Sequence, residues 1–108
     1  MEIEHFQLPV WIIAAHDGRS FSAERDGKQF VPICDNENAA STFMLKNKLP
    51  LAKLTAKPVS SIPNLLRVLT DSRDNGCKYL GRVSGSGSLL LVLIDLAINT
   101  LQEKHKQN

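Results

Sequence analysis

Six consecutive apolar residues, Leu89-Leu90-Leu91-Val92-Leu93-Ile94, form an uninterrupted hydrophobic run matched in length only by Val10 to Ala15, and even with Asp95 bridged the run ends at Ile98. A helix that crosses a bilayer needs about 20 such residues. The run is too short to span a membrane and too apolar to stay in water, so it must be covered by the fold or by a partner. Leucine favours helix, whereas the short Ser84-Gly85-Ser86-Gly87 segment before it favours a hairpin and a second strand. From Asp95 onward, Asp95, Asn99, Gln102 and Lys106 fall on one helical face and Leu96, Ala97, Thr100 and Leu101 on another. One helix is therefore expected from Ser88 to residue 106. Its first turns would be apolar nearly all round, more than one small domain covers. Leu90, Leu93, Ile94 and Ile98 are then candidate contacts for a second copy of the chain or another protein.

The rest of the sequence reads as one α+β domain over residues 1–108, with residues 1–6 and 106–108 frayed. At 108 residues and 43% hydrophobic content, folding removes roughly two-thirds of the unfolded chain's surface from water, enough for one core without metal or disulfide. Residues 8–15 are apolar almost throughout and suit a central strand with both faces covered. His16-Asp17-Gly18-Arg19 turns the chain, residues 20–25 alternate, Asp26-Gly27 is a two-residue hairpin signal, and residues 28–34 resume the strand pattern. A three-stranded β-meander is expected, with Pro32 placing the third strand at an edge or at a bulge. Asp35 stands where a helix cap would stand, followed by an apolar stripe of Ala39, Ala40, Phe43 and Met44 that Pro50 terminates. A short strand over 51–56 ends before Pro58. Ser61 caps a helix with Pro63 in its first turn and Ile62, Leu65, Leu66 and Leu69 at intervals of three and four, and Gly76 closes it before a strand over 77–83. The result is a β-meander followed by α-β-α-β-α, one mixed sheet packed by helices.

Charge narrows the partners. Thirteen Lys+Arg against eleven Asp+Glu leave a net charge of +2, and nucleic-acid affinity comes from many phosphates neutralised together. The one local excess, Lys46, Lys48, Lys53 and Lys57, has no arginine or aromatic interleaved for base recognition or stacking. It reads as a solvated face, and nucleic acid is not expected as a partner. The start of the sequence lacks the basic and apolar segments of a signal peptide, so a cytoplasmic protein without a membrane association is expected. Cys34 and Cys77, the two cysteines, lack CxxC spacing and read as free thiols.

No set of residues assembles catalytic chemistry. His16-Asp17 beside Ser20 and Ser22 offers the residue types of a triad, yet neighbours on one exposed hairpin do not hold nucleophile, base and orienter together. His5, His16 and His105 never take the i, i+4 spacing of a helical metal pair. No catalytic residue, metal or cofactor is expected. One loop stands out as a ligand site: Ser84, Gly85, Ser86, Gly87 and Ser88 ahead of a helix could turn backbone N–H groups toward a phosphate or carboxylate. It lacks the Walker lysine and the GxGxxG spacing.

Two stretches resemble a known family. Residues 30–43, Phe-Val-Pro-Ile-Cys-Asp-Asn-Glu-Asn-Ala-Ala-Ser-Thr-Phe, resemble the segment of SseB-like N-terminal domains, the enhanced serine sensitivity family, in which a strand of the form lPvFtd runs into a helix of the form eeAxxF. Leu65-Leu66-Arg67-Val68-Leu69 followed by Gly76-Cys77-Lys78-Tyr79-Leu80 is similar to that family's helix, glycine and strand. The resemblance spans residues 9–105 and departs at Ser84-Gly85-Ser86-Gly87, where such domains carry an asparagine-proline turn, and at Cys34, where they often carry an aromatic residue. It implies an α+β fold and no established catalytic residues. The expected function is a non-enzymatic interaction or accessory domain, homodimeric through its final helix. The alternative is a small-anion binding protein that uses the loop at 84–88.

Overall fold

Asp26 and Gly27 both take positive φ, 54° and 78°, as a type I′ turn requires, and they fold β2 (Ala23–Arg25) back onto β3 (Lys28–Cys34). The structure is a computed structural model and describes residues 7–106; the expected frayed ends at 1–6 and 107–108 lie outside the described residues. Lys106, also expected to fray, is the last residue of the final helix.

β1 (Val10–Ala15) joins the same edge of β3 at its other end, with Trp11 opposite Cys34 and Ile12 opposite Ile33. The next pair in that register would be Ile13 with Pro32, which has no N–H to give. There the strands part, and the Ile13 carbonyl accepts from the Phe21 N–H at 2.7 Å instead. Of the two expectations for Pro32, an edge or a bulge, the edge is corrected: β3 is an interior strand, and the segment leading into β2 supplies the donor that proline lacks. β1 is likewise not the centre of the sheet but one strand in from its end.

α1 (Glu37–Lys46) follows, then β4 (Leu54–Val59), α2 (Ile62–Asp74), β5 (Tyr79–Val83), β6 (Leu89–Leu93) and α3 (Ile94–Lys106). Among the described residues six strands form one mixed sheet in the order β4-β1-β3-β5-β6, with β2 beside β3, and β3 pairs with β5 in parallel. The fold is α+β, a mixed sheet packed by helices. Alternation along the strands divides the core into two layers. Ile13, Phe30, Cys34 and Val83 meet Ala39, Ala40, Phe43 and Met44 of α1 on one face, and Val10, Ile12, Val31, Ile33 and Leu80 meet Leu65, Leu69, Ala97, Ile98 and Leu101 of α2 and α3 on the other.

Three local expectations change. The cap of α1 is Asn36, whose Oδ1 accepts from Ala39 N–H at 2.8 Å, rather than Asp35. The Asp35 N–H instead donates to the Val83 carbonyl at 2.9 Å and extends the parallel ladder by one residue. β4 begins three residues later than expected and contains Pro58, because residues 50–53 form a turn closed by Lys53 N–H on the Pro50 carbonyl at 2.9 Å. The single helix expected from Ser88 is a strand followed by a helix that starts at Ile94. The cap of α2 is Ser61, as expected, accepting from Asn64 N–H at 3.3 Å. Beyond its last turn Gly76 takes φ 105°, which lets Cys77 N–H reach back to the Ser72 carbonyl at 2.9 Å and Gly76 N–H to the Arg73 carbonyl at 3.0 Å.

Candidate functional site

The backbone of β6 defines an unfinished edge. Ser84 N–H donates to the Ser88 carbonyl at 3.0 Å, and Ile94 N–H donates to the Lys78 carbonyl at 2.9 Å. Both bonds belong to the register that sets Gly81 opposite Leu91. Hydrogen-bonded pairs alternate along an antiparallel ladder, so Leu90 and Val92 also aim their backbone groups at β5. Leu89, Leu91 and Leu93 therefore aim theirs away from the sheet, where among the described residues no further strand lies. The outer edge of β6 offers three N–H donors in a row.

Its side chains leave that edge unguarded. Natural edges are blunted by charge, proline or a bulge, and residues 89–93 contain neither charge nor proline. Leu90 is 46% exposed and Leu93 56%. Leu96, in the first turn of α3, is 58% exposed and joins Leu93 in lining a hollow of about 390 Å³. Arg73 and Asp95, ion-paired at 3.2 Å, and Lys78 form the polar rim. Leu89 and Leu91 are half-buried against the α1 layer.

The expected interface set divides along this edge. Leu90 and Leu93 are on the surface. Ile94 and Ile98, 1% and 4% exposed, sit in the core, because a helix that starts at Ile94 turns Ile94, Ala97, Ile98 and Leu101 inward as one stripe. Leu96 lies off that stripe. The long helix expected from Ser88 hid this distinction by spreading strand residues around a helical wheel.

The loop at 84–88 does not precede a helix, as expected, but closes the β5–β6 hairpin. Gly87 N–H donates to the Ser84 carbonyl at 2.9 Å and Ser88 N–H to Ser84 Oγ at 3.2 Å, while the Ser86 hydroxyl lies 2.9 Å from that of Ser84 and 3.2 Å from that of Ser88. Gly85 faces the Asn36 side chain and Gly87 faces Thr42 and Lys46. The loop's N–H groups at 84, 87 and 88 are thus directed into the hairpin itself.

Other reactive residue types are dispersed. His16 Nε2 bonds the Ala52 carbonyl at 2.8 Å, tying the first turn to the one before β4. Asp17 is held by Arg19, through its backbone N–H at 3.0 Å and guanidinium at 2.7 Å, and the backbone bond chiefly keeps its carboxyl below the usual carboxylate range. Burial pushes the Cys34 thiol up to about 12, with the Asp35 carboxylate adding to the effect. Burial also raises Cys77, against a hydrogen bond from Ser22. The thiolate is the nucleophilic form, and burial disfavours it at both cysteines. Cys77 lies at a groove of about 780 Å³ between the first turn and α2, lined also by Arg19, Ser22, Arg67 and Asp71. Asp35, not a cap, pairs with Arg82 across the parallel strands at 3.0 Å. The lysines are spread over the end of α1, the turn after it and the surface of β4.

No helix among the described residues is long and apolar enough to cross a membrane. Compared with known proteins, the chain matches no family model and no curated sequence. The β6 edge is the feature of the molecule most in need of a partner.

Proposed function

We propose that this chain is a non-enzymatic interaction domain of the SseB-like type that acts by accepting a strand along the outer edge of β6. The observation that carries the reading is the row of N–H groups of Leu89, Leu91 and Leu93, directed away from β5 and unguarded by charge or proline. An extended segment laid beside them gains main-chain hydrogen bonds in the register of the sheet. The exposed Leu90, Leu93 and Leu96 beside the edge supply the apolar contact that turns such pairing into specificity. The family assignment is supported by the order of elements in the two similar stretches: residues 30–43 run from β3 into α1, and residues 65–80 run from α2 through Gly76 into β5.

Photo-cross-linking in the cell tests the reading. A photoreactive residue in place of Leu90 is expected to give a discrete adduct, and Leu93→Glu should diminish it. The same group at the exposed Thr55, on β4 at the opposite end of the sheet, should give none. Equal adduct patterns from the two edges would contradict the proposal.

A further inference from the structure

We infer that the strand added to β6 is β6 of a second copy, antiparallel and centred on Leu91, so that two six-stranded sheets continue across a two-fold axis. The inference rests on the strand-addition reading above and names its partner. The positions of the outward groups choose the register. A two-fold centred on Leu90 or Val92 engages two of the three outward residues, whereas one centred on Leu91 engages all three: Leu91 pairs with its own counterpart, and Leu89 pairs with Leu93. Leu91 N–H to Leu91 carbonyl and Leu93 N–H to Leu89 carbonyl, each made twice, give four hydrogen bonds. None of them needs the Leu93 carbonyl, which stands at the start of α3.

The side chains are self-complementary in the same register. On the α1 face Leu89, Leu91 and Leu93 of one copy meet Leu93, Leu91 and Leu89 of the other. On the opposite face Leu90 meets Val92. No charge faces a like charge, which is the usual obstacle to an isologous strand pair. The assembly also closes. The doubled sheet ends at each side on β4, with the three-residue β2 beside β3, and β4 is a poor acceptor. Ile13 and Ala15 direct their backbone groups toward Phe21 and Arg19, so Val10, Ile12 and Ala14 face β4, and alternation turns Leu54, Ala56 and Pro58 outward. Leu54 N–H is held by the Pro50 carbonyl at 3.1 Å and Pro58 has none, which among the described residues leaves the Ala56 N–H alone. Two copies complete the structure, and no fibre follows.

Light scattering of the full chain over a hundredfold concentration range is expected to reach a mass twice the 12.0 kDa of one chain. Cysteine cross-linking reads the register. Directly opposed, hydrogen-bonded residues have Cα atoms about 5.5 Å apart, within disulfide range, so Leu91→Cys should link two copies under mild oxidation. Leu93→Cys should not, since four residues of strand, about 14 Å, separate it from its counterpart. The native Cys34 and Cys77 are buried and free and should leave the wild-type chain unlinked. Should Leu91→Cys fail to fold, the Leu90→Cys, Val92→Cys double variant tests the same register from the other face and should link. A dimer that links through Leu93→Cys but not through either of these overturns the register. A monomer throughout overturns the second copy, and strand addition then stands or falls by the photo-adduct at position 90: an adduct with another protein keeps it, and none removes both.

Discussion

The two end strands of the sheet, β4 and β6, have the same task of stopping a ladder and do it differently. β4 turns outward a residue whose N–H is already bonded to Pro50, a residue with an N–H, and a proline, and it carries the exposed Lys57 between the last two. β6 turns outward three N–H groups and presents five apolar residues with no charge among them. The strands have similar lengths, six residues against five. Which residues occupy the outward register, more than strand length, decides whether an edge is finished or open.

Among the described residues β6 is held in the sheet by β5 alone, as β4 is held by β1. The strongest test lies beneath it. Leu80, on β5, is fully buried, and Leu80→Ala is expected to cost about 2–5 kcal/mol in urea unfolding. Leu90→Ala, on the neighbouring exposed position, should cost under about 0.5 kcal/mol in the monomer. Similar losses at the two sites would mean that β6 is not the solvent edge described. Next is Gly81, where an added Cβ would collide with the Phe30 ring and sit 3.0 Å from Leu89 Cδ1. Gly81→Ala should destabilise by about 1–3 kcal/mol through overpacking, and an unchanged urea midpoint would show that β5 does not approach Phe30 of β3 and Leu89 of β6 this closely.

The interior of the sheet should respond to alkali. Cys34 lies on β3, and its thiol titrates near 12 in the folded chain, above its usual value of about 8.5 in the unfolded one. Its contribution is therefore complete below the unfolded pKa and is lost as pH rises through the folded pKa. The unfolded state binds fewer protons in that window, so stability should fall by up to about 1.4 kcal/mol per pH unit. Cys34→Ala should flatten that part of the profile, and an unaltered slope would contradict the burial of this thiol. The smallest effect on folding, and the sharpest on assembly, is expected from giving β6 the guard that β4 has. Leu90→Lys with Leu93→Lys should leave monomer stability within about 0.5 kcal/mol while abolishing self-association, and self-association that survives both lysines would place the contact elsewhere.

Much of the fold was legible because its signals are local. Asp26-Gly27 carries its turn type in its own φ preferences, and Ser61 with Pro63 and the repeat of Ile62, Leu65 and Leu69 marks a helix without reference to the rest of the chain. What escaped was set by distant partners. Asp35 reads as a cap until Arg82, forty-seven residues later, arrives beside it, and Asn36, one residue on, takes the helix start. Pro32 reads as an edge residue until Phe21 supplies the donor it lacks. Residues 89–93 read as helix from leucine propensity, and the strand forms because β5 lies alongside to be paired. The candidate site was half legible. Leu90 and Leu93 were identified from apolar excess alone, Ile94 and Ile98 were drawn in by the wrong period, and Leu96 emerges only once α3 is known to start at Ile94.

Amide hydrogen exchange, followed residue by residue as protein concentration is raised, tests the difference between the edges most directly. In dilute solution the N–H groups of Leu89, Leu91 and Leu93 and that of Ala56 should all exchange quickly, since none has a ladder partner among the described residues. With rising concentration the three on β6 are expected to become protected together, while Ala56 on β4 stays fast. Protection of Ala56 in step with β6, or fast exchange at Leu91 in a sample that light scattering shows to be dimeric, would contradict the account.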